Sequence, residues 1–398
     1  MTRPLIFHRN VLALTSAQAF GAAGPPIVIS LGGLVGQILA PYKALTTLPV
    51  SLYTVGLALA TIPVSLGIGL FGRRSVYLGG AILALLAGLT AAYGIITGSF
   101  AVFCIGTVLA GLNGACVQTY RFAAVDSVPA ARRAKAISLV MMGGFVAAII
   151  GPQAVIWTRD ALPGFTFAGS FLTQSLFALV SFIVLLPLQV PPATTKTGPG
   201  GRSLVEIART PKFLLAAVTG MVSYGTMGFL MTAAPIAMTG CGHTIGEAAL
   251  GIQWHVLSMF GPSLVTGSLI ARFGEARVTL TGLLLIVLSG IVALCDTGLL
   301  GFWTCLILVG VGWNLGFVGA TSMVAGCCDP IERPRVQGLN DLLVFATTAS
   351  GSLLAGGLMR TEWGWTAVGW TAAALALAMG AVLSLAICRS RAADMASA

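Results

Sequence analysis

Apolar residues run through this chain in long blocks, separated by short segments rich in charge, glycine or proline. A helix needs about 20 predominantly apolar residues to cross a bilayer, and the blocks meet that length about twelve times. They predict helices over residues 10–38, 44–70, 75–97, 99–120, 136–158 and 165–190. A second series follows over 213–239, 246–272, 277–297, 299–327, 337–359 and 364–388. The stretch 191–212 between the two series is the one extended polar segment, with Pro191, Pro192, Thr194, Thr195, Lys196, Gly198, Pro199, Gly200 and Gly201. Its composition reads as a linker. The predicted organisation is a six-helix bundle over 1–190, a cytoplasmic linker over 191–212 and a second bundle over 213–398.

Composition supports this pattern and excludes a soluble fold. Of the 398 residues, 57% are hydrophobic and 8% are charged, where a soluble domain carries roughly 25% charged residues. The expected class is an all-α polytopic membrane protein with no room for a soluble domain. The net charge of +10 is accounted for by orientation. With the N-terminus placed in the cytoplasm and the spans alternating, only Lys43, Arg159 and Arg360 of the 21 basic residues fall outside. That distribution follows the positive-inside rule, and no nucleic-acid partner is needed to explain the charge. Both termini are then expected on the cytoplasmic side. The first apolar stretch imitates a signal peptide at Ala17-Gln18-Ala19, but it continues to about Ala40 and is expected to remain as a helix. The eight cysteines lie mostly within or at the ends of spans and form no Cys-x-x-Cys pair, so no disulfide framework is implied.

The two series repeat one another. Gly67-Ile68-Gly69-Leu70-Phe71-Gly72-Arg73-Arg74 follows the second span, and Gly267-Ser268-Leu269-Ile270-Ala271-Arg272-Phe273-Gly274 follows the eighth, about 200 residues later. Pro129-Ala130-Ala131-Arg132 is answered by Pro330-Ile331-Glu332-Arg333 at the same offset. A duplicated six-helix unit with a glycine-basic turn resembles the major facilitator superfamily. Gly143, Gly144 and Gly151-Pro152 are similar to its antiporter motif. Two departures stand out: Gly69 occupies the place of the usual acidic residue, and Thr107 the place of an arginine associated with proton coupling. The resemblance implies alternating access around a site near the midplane, with twelve helices in two pseudo-symmetric bundles.

Ionisable residues inside a membrane are the first candidates for function, and here His255 alone falls near a span centre. Asp126, Glu247, Asp296 and Asp341 fall near predicted ends, so the expected cargo is softly bound or neutral. His255 is paired at helical spacing with Met259, and Met227 with Met231 on the preceding span. The i, i+4 spacing keeps each pair on one helix face. At about 1.5 Å rise per residue, Met231 matches His255 in depth and Met227 matches Met259. Thioether and imidazole suit Cu(I) rather than oxygen-seeking Mg or Ca, and zinc would be expected to recruit thiolate, imidazole or carboxylate. Met238, Cys241 and His243 could form an outer capture cluster. Alternatively the methionines are packing residues and His255 an interhelical hydrogen-bonding group.

The two motifs, Met227-x-x-x-Met231 and His255-x-x-x-Met259, resemble the paired signatures of the CcoA-type copper importers, a bacterial branch of the major facilitators. That resemblance implies copper import across the cytoplasmic membrane for assembly of cbb3-type cytochrome c oxidase. Those four residues would be transient ligands, with hand-off to a cytoplasmic copper chaperone. Copper would be cargo rather than cofactor, lipid the surrounding partner and a monomer the expected state. The same branch includes RfnT-type riboflavin importers, which keeps riboflavin or a related small molecule as the alternative cargo. In that case Gln18, Asn113, Gln118, Gln153, Gln253 and Asn314 could contact the ring, helped by Trp254 and Trp313, although interhelical hydrogen bonding accounts for them equally well. Arg121, Asp126 and Asp341, with Tyr120 and Asn340, are gating or coupling candidates at cytoplasmic helix ends. No Gly-x-x-x-x-Gly-Lys-Ser/Thr motif is present and no nucleophile with a base stands out, so neither ATP drive nor enzyme chemistry is expected.

Overall fold

A computed structural model describes residues 3–129, 133–189, 201–329 and 332–397. The predicted linker is thus described only from residue 201 onward, and Ala130, Ala131, Arg132, Pro330 and Ile331 of the repeated proline motif lie outside the described residues. Among the described residues all regular structure is helical. Among the described residues ten helices are long and apolar enough to span a membrane, and a further bent pair, Ile245–Phe260 with Ser263–Phe273, passes as one broken span. One of the ten, Leu48–Ile96, is two spans joined at Gly72, which brings the crossings to twelve.

The residues cluster into two compact units. The first comprises Met1–Lys196 with His243–Leu257, and the second Thr197–Gly242 with Ser258–Ala398. In the first, α1 (Arg3–Gly21) and α2 (Gly24–Leu39) precede the long α3 (Leu48–Ile96). They are followed by α4 (Phe100–Gln118), the short α5 (Tyr120–Asp126), α6 (Arg133–Thr158) and α7 (Ala168–Leu185). Here α3 packs on α4 and α7, while α1 packs on α6 and α7. The second unit holds α8 (Leu204–Ala208) and α9 (Pro211–Gly240). After α10 (Ile245–Phe260) come α11 (Ser263–Phe273), α12 (Glu275–Cys295), α13 (Leu299–Ala325), α14 (Arg333–Leu358) and α15 (Gly364–Ser397). In this unit α9 lies against α13, α14 and α15, and α12 against α13 and α15.

Local chemistry sets the helix ends. The Thr210 hydroxyl accepts from the Phe213 N–H and Pro211 occupies the first turn of α9, a start that satisfies one orphan donor and needs no N–H at the proline. Ser99 caps α4 by accepting from the Val102 N–H. Prolines also explain where hydropathy alone misleads. The expected first helix is broken between Gly21 and Gly24, just before Pro25 and Pro26, because neither proline can donate to the preceding turn. The expected eighth span bends by 41° between α10 and α11, at Gly261-Pro262.

The duplication reappears in backbone conformation. Gly72 turns the chain between two spans with φ 79° and ψ 160°, and Gly274 does so between α11 and α12 with φ 84° and ψ 151°. Both angles lie where a side chain is strained. It also reappears in packing. Gly88 of α3 approaches the Phe171 carbonyl and Ser175 of α7, while Gly290 of α12 approaches the Gly369 carbonyl and Ala373 of α15.

Candidate functional site

Met227, Met231 and Met238 lie on α9 at 2%, 6% and 0% exposure. Tyr224, Met227 and Met231 share one face, being spaced i, i+3 and i+7. The adjoining side of the helix packs on α14. Gly228 leaves room for Thr348, Gly225 for Thr347, and Thr232 donates to Ser352 Oγ at 3.1 Å. Small residues thus bring α9 and α14 close, as membrane helices pack, on the flank of the methionine stripe, and the Tyr224 ring itself meets Phe345 of α14.

His255 is fully buried on α10, and Met259 is buried one residue before that helix ends. The break at Gly261-Pro262 leaves the Met259 carbonyl without the partner a continuous helix provides, and Asn314 of α13 supplies one. Its Nδ2 donates to Met259 O and to Ser263 Oγ, each at 2.7 Å, and its Oδ1 accepts from Thr266 Oγ1 at 2.6 Å. Asn314 therefore braces the broken span instead of facing cargo. Replacing it with leucine removes three buried bonds; at roughly 0.6 kcal/mol each in a membrane protein, stability should fall by about 2 kcal/mol. Denaturant unfolding in detergent micelles measures this directly.

The outer cluster divides by environment: Met238 is fully buried, Cys241 is exposed just past the end of α9, and His243 is partly exposed. Among the described residues no three His, Cys, Asp or Glu side chains gather as a metal-ligating set. Other polar candidates also have structural partners. Gln153 Nε2 donates to Gln253 Oε1 at 3.0 Å, so each glutamine amide meets the other. Trp254 is 43% exposed, whereas Trp313 is buried.

At the expected gate, Asp126 pairs with Arg73, from the glycine-basic turn. Arg73 also donates to the Tyr77 hydroxyl at 3.2 Å, and that hydroxyl donates to the Thr119 carbonyl at 3.2 Å. Arg74 donates to the Leu186 carbonyl. The turn after α3's first half is thereby tied to α5 and to the end of α7. Arg121 places its guanidinium over the Phe122 ring. After the matching glycine of the second unit the charge is reversed: Glu275 follows Gly274 and accepts from Ser322 Oγ at 2.9 Å. Asp341, on α14, accepts from Asn340 Nδ2.

Sequence spacing could not reveal the aromatic cluster around that tyrosine. The Tyr224 ring lies 5.0 Å from Phe317, 5.4 Å from Trp313 and 5.6 Å from Phe345, nearly perpendicular to each. Trp313 and Phe317 stack at 5.5 Å with an interplanar angle of 18°. Three helices contribute, and the rings span more than a hundred positions in the chain.

The model of the Major Facilitator Superfamily matches residues 10–264 and 217–396. The riboflavin transporter RfnT of Brucella anthropi is 51% identical over 375 residues, covering 93% of this chain and 94% of that protein. The uncharacterized MFS-type transporter YdeG of Bacillus subtilis is 27% identical, covering 88% of this chain and 86% of that protein. Among solved structures, a mutant of the nucleoside transporter NupG superposes with a TM-score of 0.74 at 12% identity, covering 94% of this chain and 99% of NupG. The expectation of copper import is overturned by the first of these relatives, a riboflavin transporter matching nearly end to end. The physical reason for the misreading is that methionine serves an apolar wall as readily as a soft metal site. This multi-pass membrane protein is a transporter and not an enzyme, and the chain belongs to the Major Facilitator Superfamily.

Proposed function

We propose that this chain imports riboflavin, or a closely related neutral heteroaromatic, across the bacterial cytoplasmic membrane by alternating access, with both termini in the cytoplasm. The observation that carries the reading is the near full-length relation to a riboflavin transporter at 51% identity. The charge inventory supports it. His255 is the one ionisable residue expected near a span centre, which suits a cargo without formal charge better than a charged one. The face of α9 that holds Tyr224, Met227 and Met231 offers an aromatic and polarizable surface without fixed charge. The bias of basic residues supports the orientation, and a gradient, rather than bound nucleotide, supplies the drive.

The test is uptake of radiolabelled riboflavin by a bacterial strain that lacks its own riboflavin importer. Producing this protein should raise initial uptake at least tenfold over the empty vector and restore growth on limiting riboflavin. Copper accumulation should stay at the host background in the wild type and in Met227→Ala. Background riboflavin uptake, with the protein present in the membrane at normal abundance, would remove the reading.

A further inference from the structure

The aromatic cluster of the second unit contains a polar group with nothing to bind. Trp313 is 8% exposed and its Nε1 has no hydrogen-bond partner. Buried indole N–H groups normally find an acceptor, because leaving a donor unsatisfied away from water is costly. Trp313, Phe317 and Phe345 lie 5.0–5.6 Å from the Tyr224 centroid, each nearly perpendicular to that ring, and Trp313 stacks on Phe317. Tyr224 and Phe317 remain partly exposed, so the cluster has an accessible side. A group of ring faces with one unspent donor matches a planar fused heterocycle, which presents a wide π-surface and acceptor atoms on its edge.

We infer that Tyr224, Trp313, Phe317 and Phe345 form the subsite for the fused ring of the cargo, with Trp313 Nε1 donating a hydrogen bond to a ring carbonyl or ring nitrogen. This rests on the riboflavin reading and deepens it by assigning recognition to the ring rather than to the sugar-alcohol chain. The face of α9 extends the subsite through Met227 and Met231, about 10 Å along the helix from Tyr224 to Met231. That length is comparable with a three-ring system. Stacking on aromatic side chains is tolerant of ring substituents and strong enough to dominate recognition of planar bases. The indole N–H adds orientation.

Purified protein in lipid nanodiscs is titrated with riboflavin while flavin fluorescence is followed, since tyrosine or tryptophan in contact with an excited flavin quenches it by electron transfer. The wild type should quench on binding, the ring compound lumichrome should compete, and ribitol should not. Trp313→Phe keeps a ring and loses the donor; it should weaken binding about five- to tenfold without changing thermal stability. Tyr224→Leu should weaken binding roughly ten- to a hundredfold and reduce the quench at saturation. If the wild type binds and transports riboflavin but both variants match it in affinity and quench, the subsite is wrong and the transport reading stands. Stability lost while affinity per folded molecule is retained also overturns the subsite, leaving the rings as packing. A wild type that neither binds nor transports riboflavin overturns both.

Discussion

Replacing Gly88 or Gly290 with valine is expected to cut recovery of folded protein several-fold. A Cβ at Gly88 would stand 2.4 Å from the Phe171 carbonyl oxygen and 2.3 Å from Ser175 Oγ. A Cβ at Gly290 would stand 2.8 Å from the Gly369 carbonyl oxygen and 2.8 Å from Ala373 Cβ. In each case backbone lies in the way, so relief requires α3 to part from α7, or α12 from α15. Overpacking of this kind reaches about 3 kcal/mol or more, a large share of the roughly 5–15 kcal/mol by which proteins are stable. In a membrane the loss has little hydrophobic compensation, because helices are held by close packing. Gly79→Val and Gly357→Val are the controls, since a Cβ at either position meets nothing within 4 Å. Size-exclusion profiles of fluorescent fusions in detergent should show the monodisperse peak reduced several-fold in the first pair and intact in the second. Normal peaks for Gly88→Val and Gly290→Val would mean that these crossings do not hold the two units together internally.

Those two contacts also show what the sequence could and could not disclose. Block length and basic-residue bias expose twelve crossings, and the repeated glycine-basic turn exposes the duplication, because both depend on local composition. That Gly88 and Gly290 meet the same partner helix in their respective units depends on packing across some 80 residues, which no local pattern records. Helix breaks are an intermediate case. Pro25-Pro26 and Gly261-Pro262 were visible, yet the residues around them are apolar enough that hydropathy runs straight through. The candidate site was the least legible part. The i, i+4 pairs are real features of α9 and α10, but the spacing specifies only a shared face and leaves the chemistry of that face open. Tyr224 stands three residues before Met227, and its neighbours Trp313, Phe317 and Phe345 come from helices that the fold alone brings beside it. With that cluster in place the methionines share a helix face with an aromatic group. Asn314, a cargo candidate by composition, proved to be spent on the broken backbone at Met259.

Thermal stability should depend on Glu332 in a way that acid erases. This carboxylate precedes α14, is 1% exposed and is enclosed by donors. Arg202 N and Nε donate to Oε1 at 2.6 and 3.3 Å, while Arg202 Nη2 and Asp329 N donate to Oε2 at 3.0 and 2.9 Å. The same guanidinium reaches the Cys327 carbonyl at 3.0 Å. One carboxylate thus fastens the chain entering α8 to the turn between α13 and α14. The Arg202 guanidinium, followed by the Asp329 and Arg202 backbone N–H groups, pushes the Glu332 carboxyl down from its ordinary 4.5 to about 2. Because the folded value lies below the unfolded one, the stabilisation is complete above about pH 4.5 and is lost as pH falls toward 2. Glu332→Gln cannot carry the charge at any pH. In detergent its melting temperature should therefore lie several degrees below that of the wild type at pH 7, with the gap closing between pH 4.5 and the lowest pH the micelle tolerates. Arg202→Ala should lower the neutral-pH melting temperature by a similar amount, and the double variant should add little, since both substitutions remove the same clamp. A gap that stays constant from pH 7 into acid would show that Glu332 acts through shape alone, and additive single effects would show that Arg202 and Glu332 act apart.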